Sequence, residues 1–503
     1  MSTSETLVAT GNKAHSHGPG SPVPLQARSE RPTSYDVADF AVPNGREEEW
    51  RFTPVKQLKA LFEDAPGTET PKIDASGPEG VVIETVAADA VKVGTPQDRS
   101  AAVAWTQATE VLAVRIPVEA ELTEPVHVNV ASLGGRGFSH LIVEAGRHSK
   151  SIVIIDHTGA GELSGNVEIK VGDGADLRIV SIQQADHESI HLGQHDALVG
   201  RDARLHHVAV TLGGKIVRIG TNVRYAGPGG DAELVGVYFA ESGQHHEHRL
   251  FVDHEATHCK SNVLYKGALA GDNARSVWIG DVLIRAAAEG TDTFELNRNL
   301  VLTDGARADS VPNLEIETGE IEGAGHASAT GRFDDEQLFY LQARGIPEDA
   351  ARRLVVSGFF NDIIGKIGVP EVTDHLHDVI EEKLARAPSV STRFRFSSKV
   401  SVPSAAADVP DEGVVPVEVG GVEVAVVKSE GQYFAVRDVC SHAQIQLSEG
   451  DVGECEIECW LHGSRFDLRT GKPLGLPATE PVAVYPVRIE GDDLLVDPTS
   501  PLN

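Results

Sequence analysis

Four short turns decide the fold: GDGADL at 172–177, GRDARL at 200–205, GDAEL at 230–234 and GDNAR at 271–275. Ala175, Ala203 and Ala232 are 28 and 29 residues apart and Ala274 follows after 42, so a degraded repeat of about thirty residues runs through the middle of the chain. Between the turns lie short β-rich runs such as VHVNV, SIVIIDH, LRIVSI, HHVAV, ELVGVYF and LNRNLVL, spread from about 126 to 318. Strands that short, repeated at that interval, bury an inward face by stacking coil on coil. The expected fold is mainly β, a right-handed parallel β-helix over 126–332. A two-sheet sandwich with Greek-key connections is the alternative, because periodicity does not fix strand direction.

Working outward, residues 1–33 mix Gly, Ser, Pro and His without periodicity and read as a disordered leader. Residues 34–125 read as a helical and mixed segment. Acidic residues precede Trp50, and Val55, Leu58, Leu61 and Phe62 fall at helical intervals; Trp50 and Phe52 read as core residues. Beyond the repeats, 333–388 carries helix signals. Asp334 or Asp335 can cap the first helix, Pro347 suits the start of a second, and a third follows Pro370. In the second, Leu354, Val355, Gly358, Phe359, Ile363 and Ile367 read as one apolar face. These segments stand where a solenoid needs its ends capped.

Residues 392–503 form a separate small all-β domain organised around CSHAQIQLSEGDVGECEIECWLHGSRF at 440–466. Cys440-x-His442 and Cys459-x-x-His462 supply two thiolates and two imidazoles, a set that can hold a tetrahedral zinc. Each half carries one Cys and one His, which suits a two-iron cluster with both thiolates on one iron and both imidazoles on the other. Ser464 is a candidate hydrogen-bond donor toward such a centre. Phe466 has no hydroxyl to offer, and fewer donors lower the potential. Cys455 reads as a small strand residue.

Composition narrows the function. The net charge of −31 gives nucleic-acid binding no electrostatic support, and about −11 of it falls in residues 396–503, a face suited to basic partners. Four cysteines do not make a disulfide framework, and no apolar run is long enough for a signal peptide or a membrane span. The expectation is a cytoplasmic protein with no membrane or nucleic-acid partner. No P-loop, dinucleotide fingerprint or nucleophile elbow is present, so the chain is not expected to be an enzyme.

Two resemblances follow from these residues. The 440–466 motif, with Gly463-Ser464 and the turn Thr470-Gly471-Lys472, resembles Rieske ferredoxins and implies a two-iron two-sulfur cluster on Cys440, His442, Cys459 and His462. SVPNLEI at 310–316, GHASATGR at 325–332, DEQLFYL at 335–341 and ARGI at 343–346 resemble the C-terminal signature of SufD, a subunit of the SUF iron–sulfur assembly complex. Glu49-Trp50-Arg51-Phe52-Thr53, Tyr265-Lys266-Gly267 and Asn297-Arg298-Asn299-Leu300 agree with it. That resemblance spans about 34–388. It implies a β-helix subunit that pairs with SufB and docks the SufC ATPase through its C-terminal helices, so that any ATP hydrolysis belongs to SufC. It also implies a role for His326 in acquiring iron or building a cluster at the SufB contact. Family members often have Cys two places before that histidine, where this chain has Ala324, which favours His326 acting with ligands from the partner. A Rieske electron carrier whose β domain docks an oxygenase or another redox partner is the alternative.

Taken without the resemblance, His326 in its Gly-flanked segment reads as a hydrogen-bonded surface histidine. His187, His191 and His195, and the group His245, His246, His248, His254 and His258 beside Cys259, read as solvated strand faces, with metal binding as the other possibility.

Overall fold

The structure is a computed structural model. It describes residues 31–386 and 409–502, except 304, 333–334, 345, 412, 420–421, 443–444, 462, 491–492 and 497–500. The segment expected to be a leader lies almost wholly outside these residues, as do His462 and Asp334. Two units, Met1–Val390 and Ser391–Asn503, divide the chain.

The first unit begins with strands β1 (Lys72–Ser76), β2 (Val82–Val86) and β3 (Val111–Ile116), with helix α1 (Arg99–Gln107) between β2 and β3. Two long strands follow, β4 (Val126–Ala145) and β5 (Lys150–Val171). Then come β6 (Asp176–Gln183), β7 (Ile190–Val199), β8 (Arg204–Thr211), β9 (Ile216–Tyr225), β10 (Asp231–Ala240) and β11 (His245–His254). The series ends with β12 (Lys260–Leu269), β13 (Arg275–Ile284), β14 (Asp292–Val301), β15 (Arg307–Ile316) and β16 (Gly323–Arg332).

The long strands turn the chain into a coil. At Gly159 and Gly161 the backbone takes φ of 81° and 129°, and a Cβ on Gly159 would lie 2.1 Å from the Ser132 carbonyl oxygen. The bend lets the first half of β5 pair with β6 and the second half with β7. From there the order is β15-β13-β11-β9-β7-β5-β6-β8-β10-β12-β14-β16, with the odd strands on one side and the even strands on the other. Every ladder from β3 to β16 is parallel, so residues 111–332 form a parallel β-solenoid and the Greek-key sandwich is excluded.

Register explains the degraded repeat. Asp176, Arg204, Asp231, Lys260, Asp292 and Gly323 stand in line across the even strands, 27 to 32 residues apart. The third turn is offset by two residues, since Ala232 lies beside Leu205. The fourth turn opens β13 on the opposite side, which is why its spacing jumped to 42. At the corners left-handed residues stack, with a side chain covering a glycine: Asp202 lies over Gly229, whose Cβ would sit 2.3 Å from its Oδ1.

Three large cores hold the described part of the coil. Its interior holds Val, Ile and Leu from both sides, closed at the first coil by Ile73, Ala75, Val81 and Ile83 of the β1–β2 region. The even strands' outer face is covered by α3 (Glu348–Ile367) and α4 (Pro370–Arg386), which follow α2 (Asp335–Ala343). The odd strands' outer face meets α1 and the segment around Trp50. Helices therefore cover the flanks, where capped ends had been expected. The entry segment forms short 3-10 turns at Val37–Asp39, Val55–Gln57 and Lys59–Phe62, because Pro43, Gly45, Pro54 and Pro66 interrupt any longer helix. In α3 the buried face is Val356, Phe360, Ile363, Ile364 and Ile367, and Leu354 is 56% exposed. The Lys266 ammonium, itself buried, donates to the Phe359 carbonyl at 2.9 Å and pins α3 to β12.

Candidate functional site

The second unit contains β17 (Gly413–Val419), β18 (Val422–Ser429), β19 (Gln432–Arg437), β20 (Asp451–Gly453), β21 (Glu456–Glu458), β22 (Arg465–Asp467), β23 (Val484–Tyr485), β24 (Val487–Glu490) and β25 (Asp493–Val496). They form sheets β17-β18-β19-β23, β20-β21-β22 and β24-β25. Cys440 follows β19 and Cys459 follows β21, so two hairpin-borne loops carry the expected ligands. The Cys440 N–H donates to the Ile445 carbonyl at 2.8 Å. The Cys459 N–H donates to that of Ser464, also at 2.8 Å. Gly463, at φ 70°, closes the second loop with a 2.9 Å bond to the Cys459 carbonyl.

Both thiols are buried and undisulfided, and they share one apolar cluster with Phe466, Leu447 and Leu468. His442 is exposed. Buried sulfur donors with an imidazole outside them suit the mixed donor set of a two-iron cluster, so the described residues fit the group. His462 lies outside the described residues, and among those described no three His, Cys, Asp or Glu side chains gather as a metal site. Ser464 is fully buried and its Oγ accepts from the Ala478 N–H at 3.1 Å, leaving its own proton to donate elsewhere. Cys455 is a turn residue at φ 56°, not the strand residue its neighbours suggested, and its Sγ–H donates to Glu430 at 3.1 Å.

On the solenoid, His326 is exposed on β16, beside Glu295 of β14 in register. Six of the other histidines overturn the reading as solvated faces: His191, His195, His245, His246, His248 and His254 are buried, while His187 and His258 are exposed, as that reading has them. His157 and His207 are buried as well, and several of these imidazoles make polar contacts inside the coil. Gln183 bridges His157 and His191 at 3.2 and 2.6 Å. His195 Nδ1 lies 3.0 Å from His207 Nε2, and the Thr211 hydroxyl lies 3.3 Å from His248. Burial, then neighbouring imidazoles, push His191 down to about 3 and His207 to about 4; burial alone does the same to His254, at about 4. For His248, also about 4, burial outweighs the opposing charge of Glu247. Burial pushes the Glu295 carboxyl up to about 8 and Asp196 to about 6. A same-face spacing of two or four residues was the available signal for these inward positions. A second buried network was not legible at all: Glu247 accepts from Thr53 at 2.7 Å and Arg218 at 3.3 Å, and Arg218 stacks 4.0 Å over Trp50.

Comparison with known proteins agrees with both halves. Residues 128–359 match the family described as SUF system FeS cluster assembly, SufBD core domain, and residues 400–486 match the Rieske [2Fe-2S] domain. An iron–sulfur cluster assembly SufBD family protein of Mycobacterium tuberculosis is 53% identical over 363 residues, covering 70% of this chain and 91% of that protein. SufD of Escherichia coli is 28% identical over 191 residues, 38% of this chain and 45% of that protein. Among solved structures, the ferredoxin of carbazole 1,9a-dioxygenase from Nocardioides aromaticivorans is 37% identical, covering 20% of this chain and all of that one, at a TM-score of 0.20. No described helix is long and apolar enough to cross a membrane. With a parallel solenoid and half-identical relatives along nearly their whole length, the chain belongs to the SufBD family of iron–sulfur cluster assembly proteins and carries a Rieske [2Fe-2S] domain after the SufBD core.

Proposed function

We propose that this chain is the SufD-like subunit of a cytoplasmic SUF scaffold, paired with a SufB-like subunit and a SufC-like ATPase, and that its Rieske domain moves electrons for assembly. The observation that carries the pairing is the last coil. Strands β15 and β16 each pair on one side only, and Phe294 and Ile316 stand 46% and 48% exposed beside them. An unpaired parallel edge with apolar neighbours is a template for another sheet. Tyr340 and Leu354, 55% and 56% exposed on α2 and α3, give the SufC-like ATPase an apolar place to dock. ATP hydrolysis is assigned to that partner. Replacing Phe294 and Ile316 with Asp should weaken SufB-type binding by about tenfold or more without changing the melting temperature, read by titration calorimetry. Unchanged affinity would remove the edge from the interface.

In the Rieske domain, Cys440 and Cys459 hold one iron and His442 and His462 the other; the bound cluster supplies one-electron chemistry. The chain's own part is to keep the sulfur side dry and to offer few hydrogen-bond donors. Phe466, fully buried in the same apolar cluster as both thiols, leaves a place for one more. Phe466→Tyr should raise the midpoint potential by about 65–130 mV, the worth of one hydrogen bond to a charged group in a one-electron couple. Protein-film voltammetry reads this, and an unchanged or lowered potential contradicts it.

A further inference from the structure

Among the described residues, the deeply buried carboxylates of the solenoid are satisfied, with one exception. Glu168 meets His140 at 2.9 Å, Glu247 meets Thr53, Arg218 and His245, Asp98 meets Arg218 at 2.8 Å, and Asp196 meets Asn222 at 2.9 Å. Glu295 is 1% exposed, and neither of its oxygens has a hydrogen-bond partner. An unpaired buried polar group costs stability, so its retention calls for an explanation. The indole N–H of Trp278, on the facing strand, is likewise without a partner, and both side chains fill the place a Cβ on Gly280 would take, at 2.5 and 2.7 Å from it.

Register shows where this carboxyl sits. Glu295, Asn297 and Asn299 occupy alternate inward positions of β14, opposite His326, Ser328 and Thr330 of β16. The alternation is fixed at both ends of the run: Asn299 Nδ2 lies 3.4 Å from Thr330 Oγ1, and Ala324 packs on the interior core. His326 is therefore on the inward side of the last coil, one strand above the unpaired carboxyl. An imidazole beside a hard oxygen donor is a donor pair suited to ferrous iron.

We propose that Glu295 is the second ligand this chain offers, with His326, to a ferrous ion held as cargo at the open end of the solenoid, the remaining ligands coming from the partner subunit or water. The proposal rests on the reading of His326 as an iron-acquiring residue. Its test uses the full-length chain with natural-abundance iron in the Rieske site, so that added iron-57 alone is seen by Mössbauer spectroscopy. After anaerobic loading with ferrous iron-57 and desalting, the native chain should retain a high-spin ferrous doublet. Glu295→Gln and His326→Ala should each reduce the retained iron by about tenfold or more. Glu295→Asp, which keeps the carboxyl group and withdraws it by one methylene, should also lose iron and serves if Gln disturbs folding. Loss with His326→Ala but full retention in both Glu295 variants overturns the assignment of Glu295 and leaves the reading of His326 standing. Retention in all three overturns both. A Glu295→Gln chain that melts lower yet holds native iron marks a packing role and overturns the proposal as well.

Discussion

Lowering the pH from 7 to 5 is expected to destabilise the solenoid by on the order of 5 kcal/mol, a large part of the stability of an ordinary domain. Seven interior histidines, His157, His191, His195, His207, His246, His248 and His254, have folded pKa values held below 6.5, for all of them chiefly by burial. Between 6.5 and their folded values the unfolded chain binds protons that the folded chain does not, so stability falls as pH falls. Each group contributes up to about 1.4 kcal/mol per pH unit. Glu295 and Asp196 act in the opposite direction, since their folded values are raised and the folded chain binds their protons first. Two carboxyls do not offset seven imidazoles. Urea denaturation followed by circular dichroism at pH 7 and pH 5 measures the difference, and equal midpoints would show that the imidazoles are hydrated or already charged in the fold.

Replacing Cys459 with Ala is expected to abolish the Rieske centre outright. Cys459 is fully buried in the apolar cluster it shares with Cys440, and Cys455, held in a turn by its own bond to Glu430, is not placed by the fold to substitute for it. The iron that the thiolates hold loses half of its protein ligands, and Cys440 is left as its single thiolate. Dithionite-reduced native protein should give a rhombic signal with average g below 2, and the variant none, while the solenoid's melting transition remains. A rhombic signal surviving in the variant would mean that another residue binds the iron.

How much of this was legible depended on what each residue had to do locally. The turns at 172–177 and 200–205 are set by backbone conformation, which Gly and Asp report directly, and they gave the coil its spacing. The ligand pairs were legible because metal chemistry fixes residue types at fixed intervals. The six buried histidines were misjudged because alternation tells inside from outside only when one face is wet. In β7 through β11 both faces are covered, from within by the opposite side of the coil and from without by α3, α4 or the Trp50 segment, so a polar residue could not be sorted by its neighbours. The face of α3 was off by a fraction of a turn for a related reason: Leu354 and Val356 are equally apolar, and only the position of β10 and β12 decides between them. The Glu247 network joins residues nearly two hundred positions apart and leaves no local pattern to read.

On this reading one chain brings a Rieske centre into a SUF scaffold. Native mass spectrometry of the full-length chain co-expressed with SufB-type and SufC-type subunits tests it in a single measurement. The expected result is an assembly of all three in which this chain carries the added mass of two irons and two sulfides, lost in the Cys459→Ala variant. A chain that flies alone, or one that joins the complex bearing a zinc ion in place of the cluster, would contradict it.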